Sequence, residues 1–228
     1  MKSGTTVAAF GRAIVGVAVY AVFLFIPAGT IEWPLGWVLI AILAYAALGE
    51  VVLLAINNRP LLEERARSLT DPSYAAWDRR LTVAAGGLFV SVLVVSGLDH
   101  RFGWTPPLPT WLTIAGVAAA LAGNSLFLWS MASNRTFFRG VRIDRDSHEV
   151  ARSGPYRVVR HPGYLGAIAA QLGQPLAAGT LAALMPALLA AAVMVRRTAL
   201  EDRFLTDDLA GYAQFAEHTR FRLVPRLW

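Results

Sequence analysis

Cysteine is absent from the 228 residues, which excludes disulfides, thiolate metal sites and a cysteine nucleophile. Charge is scarce too. Only 16% of residues are Asp, Glu, Lys or Arg, against about a quarter in an ordinary soluble domain. No Gly-x-Gly-x-x-Gly follows a strand pattern, and there is no strand-rich region to host one. Internal repeats and low-complexity linkers are missing, apart from an ordinary Ala/Leu bias near residues 164–195. Lys2 and Arg12 precede an apolar run, but no small-residue cleavage pattern follows it and further apolar runs do. This beginning reads as an uncleaved span, not a signal peptide.

What is present is apolar: 56% of residues are hydrophobic and the mean hydropathy is +0.49. A spanning helix needs roughly 20 largely apolar residues, and four runs qualify: Ala13 to Ala28, Trp33 to Ile56, Leu81 to Leu98 and Trp111 to Ala132. Trp33, Trp37, Trp104 and Trp111 stand near their ends, where amphipathic rings favour the membrane interface. A fifth run, Tyr164 to Val195, is too long for one crossing and is interrupted by Gly173, Gln174, Pro175 and Gly179. It reads as a helical hairpin whose halves, about 23 Å each, fall short of a hydrocarbon core of about 30 Å. The expected fold is all-α: a polytopic membrane helical bundle of four spans, a C-terminal hairpin and a helical tail, forming one membrane domain over residues 1–228.

The net charge of +6 does not indicate nucleic acid, because the basic residues fall between apolar runs rather than along one stripe. With a cytoplasmic N-terminus, 20 of the 21 basic residues lie on the cytoplasmic side, and Arg101 alone lies outside. The positive-inside rule therefore predicts that both termini are cytoplasmic and that the hairpin enters and leaves by one face. Segments 57–80, 133–162 and 196–228 are the sizeable polar ones, so chemistry is expected on that face.

Two polar clusters stand out there. In "GPYRVVRHPGYLG", residues 154–166, Pro162 suits the first position of a helix, His161 its cap and Tyr164 its first turn. Such a helix start, with Arg157 and Arg160 nearby, can hold an anionic group. A Pro-started membrane helix with interfacial tyrosines and arginines accounts for the same residues. In "VRRTALEDRF", residues 195–204, Arg197 and Glu201 share a helix face at i,i+4, with Asp202 about 100° round. A returning hairpin would bring this pair beside His161 and Tyr164.

"SHEVARSGPYRVVRHPGYLG", "RRTALED" and "GYAQFAEHTRFRLVP", in that order, resemble the isoprenylcysteine carboxyl methyltransferase and phospholipid methyltransferase group of integral membrane enzymes. The likeness covers roughly residues 134–228 and places the catalytic part in 111–228, behind N-terminal spans in 1–110. It implies methyl transfer from S-adenosyl-L-methionine to a lipophilic acceptor, a lipid or other membrane-soluble molecule such as an isoprenylcysteine-like carboxylate, entering from the bilayer, with no metal. The implied cofactor contacts are His148, Glu149, Val150, Ala151, Tyr156, His161, Pro162, Gly163, Tyr164 and Glu201; the implied acceptor-binding and catalytic residue is Arg197. Two positions depart from the family pattern: Asp202 stands where a second Glu is expected, and Val141 where isoprenylcysteine enzymes carry Gln. Two other readings stay open, an NADPH-dependent membrane reductase resembling the sterol enzymes and a non-enzymatic scaffold or transporter using Glu50 and Arg12.

Overall fold

The computed structural model describes residues 2–65, 71–142 and 149–228. Described residues form eight α-helices and no strand: α1 Lys2–Ala28, α2 Pro34–Asn57, α3 Arg59–Glu64, α4 Ala76–Phe102, α5 Thr110–Ala132, α6 Pro162–Ala177, α7 Leu184–Asp208 and α8 Tyr212–His218. Four of them, α1, α2, α4 and α5, are long and apolar enough to cross a membrane, and the protein is an integral membrane protein. The helix α4 is longer than the apolar run that signalled it, because Arg79, Arg80, His100 and Arg101 continue the helix into the interface.

Small residues decide how α5 and α6 meet. A Cβ added at Gly123 would lie 2.4 Å from the Ala170 nitrogen, at Gly166 2.6 Å from the Gly123 oxygen, and at Gly173 2.6 Å from the Ala120 nitrogen. The two backbones touch at three successive levels, the close approach that small residues permit in membrane helix pairs. Any larger side chain at these glycines would force the helices apart.

The hairpin of α6 and α7 breaks later than its sequence indicates. Gly173, Gln174 and Pro175 lie inside α6, and the turn falls at residues 178–183, where Gly179 takes φ +76°. Pro175 is tolerated because it is near the helix end and its own carbonyl accepts from the Thr180 N–H at 2.9 Å. The tip is seated on the far end of α4. Thr180 donates to the Ser96 hydroxyl at 3.1 Å, and the Leu181 and Ala182 N–H groups reach Thr105 Oγ1 and Asp99 Oδ2 at 3.2 and 3.3 Å. The hairpin therefore runs from the site end of the bundle to the opposite end of α4, despite an α6 of only 16 residues.

Candidate active site at the mouth of the hairpin

Entry into α6 is built by local sequence. Gly154–Arg157 makes a short 3-10 turn; Gly154 has φ +58°, and a Cβ there would stand 2.3 Å from the Ser133 hydroxyl, so glycine is required twice over. Pro162 then takes the first helical position with His161 at the cap, as expected. The loop before it is docked on α4: Val141 donates to Asp78 Oδ2 at 2.8 Å and accepts from the Ala75 N–H at 3.0 Å. Gly140 lies against the Tyr74 ring, leaving no room for a Cβ.

Beside this turn opens a cavity of about 270 Å³, near the lower end of the range for small-molecule sites, about 300–1,000 Å³. Glu149, Val150 and Ala151 line one wall, and Tyr156, His161, Gly163 and Tyr164 another. Arg197 and Glu201 reach it from α7, and Tyr212 and Phe215 from α8. Pro162 is fully buried behind the lining. His148 lies outside the described residues.

Within the cavity, Tyr164 donates its hydroxyl to Glu201 Oε2; Glu201 Oε1 has no hydrogen-bond partner among the described residues. Arg197 does not pair with Glu201. Its Nε and Nη2 instead donate to Asp78 Oδ1 and Oδ2 at 2.6 and 3.2 Å, Nη2 also donates to the Arg139 carbonyl at 3.1 Å, and the guanidinium lies 5.1 Å from the Tyr164 ring centre. Among the described residues, Nη1 has no hydrogen-bond partner. Asp78 is 1% exposed and is a site residue that sequence reading missed. An acid in the first turn of a helix has a generic explanation in the helix dipole, so nothing marked it out.

Asp202, next to Glu201 but turned away, is saturated. It accepts from Arg160 Nε and Nη2 at 2.7 and 3.0 Å, from Arg222 Nε at 2.7 Å and from the Tyr212 hydroxyl at 3.0 Å, and lies 3.1 Å from His161 Nε2. Burial raises its carboxyl, but these hydrogen bonds and charges outweigh it and hold Asp202 well below the usual carboxylate range. Burial and the Asp202 charge push the Tyr212 hydroxyl up, and burial does the same at Tyr156; both stay protonated at neutral pH. The tail is stitched to the α6 entry by the Arg160 and His161 N–H groups, which donate to the Phe221 and Arg222 carbonyls at 2.9 Å. Among the described residues no group of three or more metal-ligating side chains is present.

An all-helical membrane bundle with an aromatic-walled cavity at the hairpin mouth is the class defined by this geometry. Residues 115–207 match the model of the isoprenylcysteine carboxyl methyltransferase (ICMT) family, and this segment, α5 through nearly all of α7, is an ICMT-family domain. The match points to methyltransferase chemistry in this segment of the membrane protein. Helices α1 to α4 and the last 21 residues lie outside the match. None of the curated proteins matches the chain.

Proposed function

We propose that the protein transfers a methyl group from S-adenosyl-L-methionine to a lipophilic, anionic acceptor at the cytoplasmic membrane face. The observation that supports this is the cavity itself, which Glu149, Val150, Ala151, Tyr156, His161, Gly163, Tyr164 and Glu201 line together with Arg197. Its donors suit that cofactor. The rings of Tyr164, Tyr212 and Phe215 offer flat surfaces for a nucleobase or a sulfonium. The free Glu201 oxygen can accept from a hydroxyl or ammonium group, and the buried, unpartnered Thr82 hydroxyl lines the same space. Gly163, in the first turn of α6, has an N–H with no intrahelical acceptor.

When bound, the cofactor would supply a methyl group already activated on sulfur, held by Tyr164, Glu201 and the α6 entry. The protein's tasks are then alignment and exclusion of water. Asp78 fixes the plane of the Arg197 guanidinium, leaving Nη1 to orient an acceptor oxygen. A carboxylate acceptor, ionised at neutral pH with an ordinary pKa near 4, needs no base. His161, bound to Asp202 and Tyr212, holds the α6 entry in place. The arginine distribution supports a cytoplasmic site and cytoplasmic termini, with all 228 residues as one membrane domain.

Purified protein should bind S-adenosylhomocysteine and not NADPH in equilibrium dialysis; the reverse would favour the reductase reading. Methyl-labelled S-adenosylmethionine incubated with a total lipid extract should label an apolar product. Full turnover by Arg197→Ala would overturn the acceptor assignment.

A further inference from the structure

Among the described residues, five arginines line the cavity at the hairpin mouth: Arg65, Arg139, Arg142, Arg160 and Arg197. Four of them have a carboxylate. Arg65 pairs with Glu50 at 2.6 Å, Arg142 with Glu64 at 3.5 Å, Arg160 with Asp202 at 2.7 Å and Arg197 with Asp78 at 2.6 Å. The Arg139 side chain makes no hydrogen bond or ion pair among the described residues. Glu50 acts on it electrostatically, but both Glu50 oxygens accept from Arg65, at 2.6 and 3.3 Å. Glu149 and Glu201, the acids in the cavity lining, form no ion pair with it either.

This is not a loose surface arginine, because the loop is fixed on both sides of it. The Phe137 carbonyl accepts from Arg65 Nη1 at 3.0 Å, and the Val141 N–H donates to Asp78. The Arg139 carbonyl itself accepts from Arg197 Nη2 at 3.1 Å, so the base of its side chain stands beside the Arg197 guanidinium. Burial, and then the charge of Arg65, hold the Arg139 guanidinium below its ordinary value against the pull of Glu50, Tyr74 and Tyr20. A guanidinium keeps its charge even so, and a cation taken out of water without a counter-charge is costly. Arg197 differs in kind. Asp78 cancels its charge, which leaves Nη1 as a directed donor with little net attraction for an anion.

We infer that Arg139 binds the negative charge of the methyl acceptor, one carboxylate or phosphodiester on an amphiphile, while Arg197, neutralised by Asp78, only directs a hydrogen bond to it. The inference rests on the methyltransferase reading above.

The test uses the full chain in micelles of a neutral maltoside detergent, with S-adenosylhomocysteine present. Equilibrium binding is measured for palmitate, hexadecyl methyl phosphate and the uncharged hexadecanol. At least one anion should bind about 10- to 100-fold more tightly than hexadecanol, as expected of a charge-assisted hydrogen bond, and the anion that does so names the source of the charge. Arg139→Gln should bring that ratio close to one, and Arg139→Lys, which keeps the charge, should retain most of it. Partition into the micelle is common to all variants, so the comparison isolates the site. Arg139→Gln should also melt no lower than the wild type, since the substitution removes an unpaired cation; an arginine with a structural partner would not behave so. The inference is wrong if neither anion outbinds hexadecanol, if the preference survives Arg139→Gln, if Arg139→Lys loses it as completely, or if Arg139→Gln melts lower. A wild type that fails to bind S-adenosylhomocysteine but keeps the preference would remove the methyltransferase reading and leave Arg139 as an anion site.

Discussion

Glu201 and Asp202 are neighbours on α7 with opposite surroundings. Glu201 faces the cavity, where one oxygen takes the Tyr164 hydroxyl and the other is free. Asp202, about 100° round the helix, is enclosed by Arg160, Arg222, His161 and Tyr212. One carboxylate is available for a ligand because the other is spent on holding the walls together. In sequence the two look like a repeated acid; in space one lines the cavity and the other ties its walls together. Asp78 stands between these roles, since it supports the fold by gripping a residue that lines the cavity.

Substitutions should separate the two acids. Asp202→Asn leaves Arg160 and Arg222 without their counter-charge, and breaking a buried pair of this kind costs about 3–5 kcal/mol. A large fall in melting temperature is expected, with binding lost only as folding is lost. Asp78→Asn removes a single buried partner and should cost about 3 kcal/mol, with Asp78→Glu recovering part of it in the same melting experiment. Glu201→Gln should barely move the melting temperature yet weaken S-adenosylhomocysteine binding about 10- to 100-fold, the range for a lost charge-assisted hydrogen bond of about 1.5–3 kcal/mol. Tyr164→Phe, which removes only the hydroxyl donated to Glu201, should weaken the same binding less than tenfold. A wild-type Glu201→Gln affinity would erase the distinction between the acids.

Acid sharpens the comparison further. Because the folded Asp202 carboxyl titrates below its unfolded value of about 3.9, its contribution is intact above that pH and is lost as the pH falls below it. Melting temperature should therefore decline more steeply below about pH 4 in the wild type than in Asp202→Asn. Parallel acid profiles would show that Asp202 is not the anchor.

Much of the fold was legible because a bilayer imposes a length and an apolarity on each span, and four runs satisfied both. Helix ends were less legible: α4 reaches Ala76 on one side and Phe102 on the other through charged residues that suit an interface but carry no hydropathy signal. The break in the hairpin falls at Gly179, one of the four residues that signalled it, and not at the other three. Gly173 and Pro175 look like helix breakers, yet Gly173 is where α6 presses on α5 and Pro175 sits in its last turn, so both are used inside the helix. At the site, the order His161, Pro162, Tyr164 predicted a helix start, and that is where it lies.

The sequence by itself determined an all-helical membrane protein, the start of α6 at Pro162 and the segments that carry the family pattern, because apolar run length, proline geometry and motif order are local properties. Only the tertiary structure decided which partner each charge takes. Arg197 turns to Asp78, 119 residues away, rather than to Glu201 one turn along. Such pairings depend on which helix faces meet across the bundle, and the stripes of glycine and alanine that let α5 and α6 touch set that meeting at a distance no local pattern encodes.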